Sequence, residues 1–198
     1  MTVSDLRIAP LTGADLIAAL DDVARLRIEV FAGWPYLYDG DLQYERRYLQ
    51  AYHDSRDAIV VGAYDGAALV GVSTGMPMAD HEEDFAAAFA GTGIAIEDVF
   101  YCAESVLLPQ YQGQGVGHAF FDAREDHARA LGFAKSAFCS VIRPADHPAR
   151  PKSTRSLEPF WRKRGYAPLD GVVAQFGWKD IGAPEETQKP LQFWMREL

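Results

Sequence analysis

A mixed α/β fold, with a mostly antiparallel central sheet splayed at its middle strands and flanked by helices, is what this sequence predicts. Three features predict it. Two apolar runs, Ala58 to Tyr64 and Ala67 to Met76, flank Asp65-Gly66, a strong hairpin signal. Two more strand-like runs, about Val172 to Trp178 and Leu191 to Arg196, lie near the end of the chain across a polar loop. Between them, Val99 to Ile142 reads as strand, glycine loop, helix, strand. Hairpins on both sides of a βαβ-like centre make a mixed, centrally V-shaped sheet.

The elements follow in order. Leu6 to Leu11 reads as a first strand, and Thr12 caps a helix whose apolar residues Leu16, Leu20, Val23, Leu26, Val30 and Phe31 recur at helical spacing. Gly33 to Asp41 is a loop too rich in Trp and Tyr to be a simple connector, and a second helix spans about Asp41 to Tyr52. After the hairpin, Asp80 to Ala90 reads as a short acidic helix ended by Gly91. Val99 to Leu108 is the central strand, Gly115 to Leu131 a helix stopped by Gly132, and Phe133 to Ile142 the next strand. Arg143 to Arg155 is a segment rich in Pro, Arg and His, followed by a short helix ending at Gly165.

A chain of 198 residues, 48% hydrophobic and 12% aromatic, buries a full core and is expected to form one domain over 1–198. Its net charge of −9 argues against a nucleic-acid partner, which needs a concentrated basic surface, and favours a cationic one. Cys102 and Cys139 both sit in apolar runs and read as buried free thiols, which suits a reducing cytoplasm. Near the start, acidic Asp5 and the lack of a long apolar stretch give no expectation of a signal peptide. No apolar run approaches the ~20 residues of a membrane span, so no membrane partner is expected. His53, His81 and His127 show no ligand spacing, and no metal site is expected.

Pro109 closes the central strand, and Gln112-Gly113-Gln114-Gly115-Val116-Gly117-His118 leads into the helix. That arrangement aims several backbone N–H groups and the positive end of a helix dipole at one spot, which binds phosphate without a basic side chain. Glycine permits the unusual backbone angles and the close approach of a ligand. The spacing is Gly-x-Gly-x-Gly, not the Gly-x-Gly-x-x-Gly of dinucleotide sites, and no Gly-Lys-Ser/Thr is present.

Gln112-x-x-Gly115-x-Gly117, after a strand ending in an aliphatic pair and Pro, resembles motif A of the GNAT superfamily of acyl-CoA-dependent N-acetyltransferases. Phe160-Trp161-Arg162-Lys163-Arg164-Gly165-Tyr166 is similar to that superfamily's late helix ending in Gly-aromatic. The resemblance implies acetyl-CoA as co-substrate, bound in the splay between the two central strands. It implies that backbone groups of Val106, Leu107 and Leu108 hydrogen-bond the pantetheine arm like an added strand. The N–H groups from Gln112 to Gly117 would hold the pyrophosphate, with His118 in the first helical turn.

Acetyl transfer to an amine needs a neutral nucleophile, and Glu104, a carboxylate inside an apolar strand, is the candidate base. Strand alternation would place it on the face of Cys102, Val106 and Leu108, in a site raising its pKa toward neutrality. The alternative is a salt bridge to a neighbouring strand or to the first helix. His147 is the alternative base, and Arg143 or Arg150 a candidate clamp for an acceptor carboxylate, unless the loop is only a stiff surface excursion. Many relatives carry a proton-donating Tyr where this chain has Trp161, which cannot serve; Tyr111, Tyr166 or solvent would substitute.

For the acceptor, Trp34, Tyr36, Tyr38 and Asp39, with Asp80, Glu82, Glu83 and Asp84, make a plausible cation site. The expected activity is therefore direct transfer of an acetyl group from acetyl-CoA to the primary amine of a small molecule. A homodimer is compatible with it. The alternative is a non-catalytic acyl-CoA-binding or sensing module of the same fold.

Overall fold

The computed structural model describes residues 6–81, 85 and 87–198. Seven strands form one sheet in the order β1-β2-β3-β4-β5-β7-β6. They are β1 (Arg7–Leu11), β2 (Ile59–Asp65), β3 (Ala68–Pro77), β4 (Val99–Leu107), β5 (Lys135–Val141), β6 (Ala167–Lys179) and β7 (Glu186–Glu197). Every neighbouring pair is antiparallel except β4–β5, which is parallel. The expected mixed sheet is what forms. The parallel pair is joined over only three positions, Val99 to Tyr101 against Lys135 to Ala137, and then parts. That parting is the expected V.

Helices cover both faces. Helix α1 (Gly13–Phe31) buries Leu16, Val23, Leu26 and Phe31, the positions its helical period predicts. Helix α2 (Leu42–Asp54) starts where the Asp41 side chain accepts from the Tyr44 N–H at 2.8 Å. Together they seal one core with Val60, Val72, Met76 and Val106. On the opposite face, helix α3 (Val116–Ala130) buries Phe120, Phe121 and Ala128, and the short helix α4 (Glu158–Lys163) adds Phe160 and Trp161.

Two boundaries differ from expectation for identifiable reasons. β6 begins at Ala167 rather than Val172, because Asp170-Gly171, with Gly171 at φ 77°, reads as a turn but is an irregularity within one strand. β7 begins at Glu186 rather than Leu191, since its first turns of ladder are polar residues facing Trp178 and its neighbours. The acidic helix expected over Asp80 to Ala90 lies partly outside the described residues, as do Glu82, Glu83 and Asp84. Asp80 itself ends a 3₁₀ turn and accepts from the Ser55 hydroxyl at 2.7 Å.

The least expected core residue is Arg124 of α3, which is 1% exposed. Its guanidinium donates to the Thr74 carbonyl (3.2 Å), the Glu104 carbonyl (2.9 Å), the Ser105 hydroxyl (2.9 Å) and the Phe120 carbonyl (3.1 Å). It ties the helix to the two strands beside the splay. Arg124→Met keeps the bulk and strands these buried acceptors, so unfolding free energy should fall by about 2–4 kcal/mol in urea titration. A loss under about 0.5 kcal/mol, the range of ordinary surface changes, would show that the strands hold this geometry unaided.

Candidate active site

The splay begins at a bulge. β3 and β4 run in register from Gly71–Leu107 to Thr74–Glu104, then shift so that Met76 faces Tyr101. Cys102 and Ala103 therefore stand opposite Gly75 alone. Gly75 is required here: a Cβ would lie 2.6 Å from the Phe100 ring. The extra residue breaks the alternation. Tyr101, Ala103 and Glu104 all face one cavity, while Cys102 turns into the opposite core beside Phe121 and Phe138. Glu104 thus does not share a face with Cys102, contrary to simple alternation.

Beyond the bulge, β4 offers its free edge to the cleft. The Leu108 N–H donates to the Val70 carbonyl at 3.0 Å while its carbonyl accepts from Tyr111 N–H at 3.0 Å, and Val106, two residues back, directs its main-chain groups at β3. Leu107 and Ser105 therefore direct theirs into the cleft, where the Leu107 carbonyl meets only the Gln112 side-chain amide at 3.5 Å. A 3₁₀ turn over Pro109–Tyr111 then carries the chain to Gly113 and Gly115, at φ 77° and 86°, with nothing within 4 Å of where their Cβ atoms would be. The first hydrogen bond of α3 runs from His118 N–H to the Gly115 carbonyl at 2.9 Å. The N–H groups of Gly113, Gln114, Gly115, Val116 and Gly117 make no main-chain bond. Five donors without main-chain partners thus lie at the N-terminus of a helix beside open space, and these residues fit a pyrophosphate. His118 instead faces Arg164 (3.2 Å) and the Phe160 ring.

On the α1–α2 face the cleft opens into a cavity of about 310 Å³. Three buried charges line it: Arg27 of α1, Glu45 of α2 and Glu104 of β4. Arg27 forms ion pairs with both carboxylates. Glu104 also accepts from Thr74 Oγ1 at 3.1 Å and from the Tyr48 hydroxyl, and Tyr48 contacts Tyr52 at 3.2 Å. Burial pushes the Glu104 carboxyl up, but Arg27, Tyr48 and Thr74 outweigh it and hold the group below the ordinary carboxylate range. This corrects the expected rise toward neutrality. The expected alternative, an ion pair to the first helix, does form. It leaves one guanidinium between two carboxylates, a net negative charge in a desolvated place.

The cavity walls are aromatic. Tyr36 and Tyr38 pack against both half-cores on this face and bridge them across the splay. Their loop is fastened to the end of β6 by Asp39 N–H to the Lys179 carbonyl (2.9 Å), Ile181 N–H to the Leu37 carbonyl (2.7 Å) and Trp178 Nε1 to the Tyr36 carbonyl (2.9 Å). Arg143 completes the fastening, with both nitrogens of its fork on Asp180 (2.8 and 2.9 Å) and further bonds to the Pro35 and Tyr36 carbonyls. Its guanidinium is spent on structure, which corrects its expected role as an acceptor clamp. Trp34 and His147 pack on each other, rings 5.3 Å apart, and neither lines the cavity; His147 Nδ1 accepts from the Ala149 N–H at 3.2 Å. Between β4 and β5, the Tyr101 hydroxyl and Cys139 sulfur lie 2.9 Å apart, and burial pushes the thiol up to about 12.

No substitute proton donor stands where the sequence offered one. Trp161 packs between Phe138 and Trp194, ring centroids 5.0 and 5.1 Å away. The Tyr166 hydroxyl is buried between Ser136 (2.7 Å) and Glu125 (3.0 Å), and the Tyr111 hydroxyl donates to Asp65 at 2.9 Å. Among the described residues no group of His, Cys, Asp and Glu is placed to hold a metal ion, and no helix is long and apolar enough to cross a membrane.

Sequence reasoning missed Arg27, Glu45, Tyr48 and Trp178. A signal for two of them exists: Arg27 lies among Val23, Leu26 and Phe31, and Glu45 lies on the stripe of Leu49 and Tyr52. A charge on the apolar face of a helix is costly unless a partner meets it.

The comparisons agree with this geometry. The model of the Acetyltransferase (GNAT) family matches residues 23–166. No curated protein matches. Among solved structures, a protein of Acinetobacter baylyi superposes with a TM-score of 0.66 at 11% identity, over 100% of this chain and 94% of its own. YncA of Salmonella typhimurium, solved with its cofactor acetyl-CoA, gives 0.60 at 14% identity, over 98% and 95%. A GCN5-related N-acetyltransferase of Kribbella flavida gives 0.61 at 18% identity, over 98% of each chain. With its motif A loop, splayed strands and family match over most of its length, the chain belongs to the GNAT acetyltransferase family.

Proposed function

We propose that the protein transfers an acetyl group from acetyl-CoA to the primary amine of a small molecule, acting as one cytoplasmic domain. The observation that carries this reading is that one strand, β4, runs between two different features. It leads into the loop whose amides lack main-chain partners at the start of α3, and its Ala103 and Glu104 line an acidic, aromatic cavity.

Bound acetyl-CoA supplies a thioester whose C–S bond is exchanged for the C–N bond of the amide product. The amides of Gly113 to Gly117 hold its pyrophosphate, and the main-chain groups of Ser105 and Leu107 hold the pantetheine arm. Val106, whose groups are turned to β3, and Leu108, whose N–H bonds Val70 and whose carbonyl bonds Tyr111, do not. The ammonium of the acceptor is drawn to the excess negative charge beside Arg27, and Glu104 receives the proton it must lose. Because Glu104 is held low, its basicity is modest and its electrostatic attraction is permanent. A carboxylate kept below the usual range stays ionised throughout mild acid, so no acid limb in the rate–pH profile above about pH 5 comes from it. Any limb near neutrality belongs to the amine.

The amide cluster is tested by stability. CoA should raise the melting temperature of the wild-type protein, because a ligand bound only to the folded state stabilises it. Gly115→Glu puts a side chain at φ 86° and a negative charge among the donors, and should abolish that shift. An unchanged shift would refute the assignment.

Glu104 is tested by kinetics. With an amine of high pKa near neutral pH, Glu104→Gln should lower turnover on the order of 10²-fold while CoA affinity stays unchanged. Near wild-type turnover, with a collapse in His147→Ala instead, would move the base to the proline-rich loop. An acyl-CoA sensor of the same fold differs in a simpler way: CoA would stabilise it, yet no amine in a mixed panel would accelerate the release of free thiol.

A further inference from the structure

The acceptor cavity has a chemistry of its own, and this step rests on the acetyl-transfer reading above. Its lining carries five carboxylates, Asp39, Asp41, Glu45, Glu104 and Glu186, against two cations, Arg27 and Lys179. Neither cation is available. Arg27 is held between Glu45 and Glu104, and Lys179 pairs with Asp39 at 2.8 Å. The other guanidinium nearby, Arg143, has both arms on Asp180. A substrate carboxylate entering this space would meet no free donor of positive charge and would face uncompensated negative charge.

Rings line the same cavity, among them Tyr36, Tyr38, Phe176 and Trp178. Such walls reward an apolar aromatic body, which a short aliphatic diamine lacks. At about 310 Å³ the cavity lies at the small end of the ~300–1,000 Å³ range of ligand sites. That size excludes an aminoglycoside-like acceptor from full burial.

We infer that the acceptor is a compact arylalkylamine: one primary ammonium, directed at the Glu104–Arg27–Glu45 cluster, on an aromatic body without a carboxylate. An amino acid of the same side chain differs only in the group the cavity rejects. One uncompensated charge about 6 Å from a carboxylate, at an effective dielectric of about 20, corresponds to about 100-fold in affinity.

The test measures binding and turnover side by side. Calorimetric titrations of the intact protein would use 2-phenylethylamine, L-phenylalanine and putrescine, and the same three compounds would be assayed for CoA release from acetyl-CoA. The expected result is 2-phenylethylamine bound and acetylated about 100-fold better than L-phenylalanine, with putrescine also far weaker. Glu45→Gln removes the excess charge and should weaken 2-phenylethylamine binding about tenfold with CoA binding intact; the wild-type ranking stands as the test if that variant does not fold. If 2-phenylethylamine fails to bind, or L-phenylalanine comes within about threefold, or putrescine is preferred, the acceptor class is wrong although acetyl transfer may be observed. If 2-phenylethylamine binds with the expected selectivity but no amine is acetylated, the acceptor class stands and the transfer reading falls.

Discussion

The three-residue seam between β4 and β5 is the constraint on which the molecule depends. A seven-stranded sheet that closed fully at its centre would bury both strand edges and leave no room for a ligand. Here β4 keeps its ladder with β3, β5 keeps its ladder with β7, and only Val99–Tyr101 and Lys135–Ala137 join the halves. The cost of an open edge is unsatisfied main-chain polarity. Arg124 of α3 braces β3 and β4 beside the bulge at Cys102–Ala103, bonding the Thr74 and Glu104 carbonyls and the Ser105 hydroxyl, while the cleft-facing groups of Ser105 and Leu107 stay open.

From that parting follow both halves of the site. The backbone half needs no side-chain chemistry: alternation fixes Ser105 and Leu107 as the outward residues, and two left-handed glycines carry a run of five unbonded amides into the start of α3. The side-chain half is built by elements brought from far apart in the chain. α1 contributes Arg27, α2 contributes Glu45 and Tyr48, the loop between them Tyr36 and Tyr38, and β6 contributes Phe176 and Trp178. The loop spans the gap because Arg143 and Asp180 clamp it to β6. The charges of the proposed site therefore sit on helices and strands, and the aromatic loop is tied to the end of β6.

Much of this was legible in the sequence, and the parts that were not share a cause. Local patterns gave the helices, the hairpin at Asp65-Gly66, the parallel centre and the glycine loop, because each is written in neighbouring residues. The face on which Glu104 lies was not legible, since the bulge depends on Gly75 of another strand meeting Phe100. Its pKa direction was misjudged for a related reason: Arg27 is 77 positions away in the chain, and burial alone points the other way. Arg143 reads as a ligand clamp in the sequence because its partner Asp180 lies 37 positions away and only the fold brings the two together. Trp161, odd beside the family pattern, finds its explanation in tilted ring contacts with Phe138 and Trp194.

The central claim is that acetyl-CoA is held by main-chain groups at the free edge of β4 and the start of α3. Amide hydrogen exchange with and without CoA tests it most directly, because those amides now have no protein partner. The account predicts slowed exchange at Ser105, Leu107 and Gly113 to Gly117 on adding CoA, with Val106 and Leu108, already bonded to β3, changing least. Protection confined to other segments, or none at these amides while CoA is bound, would contradict it.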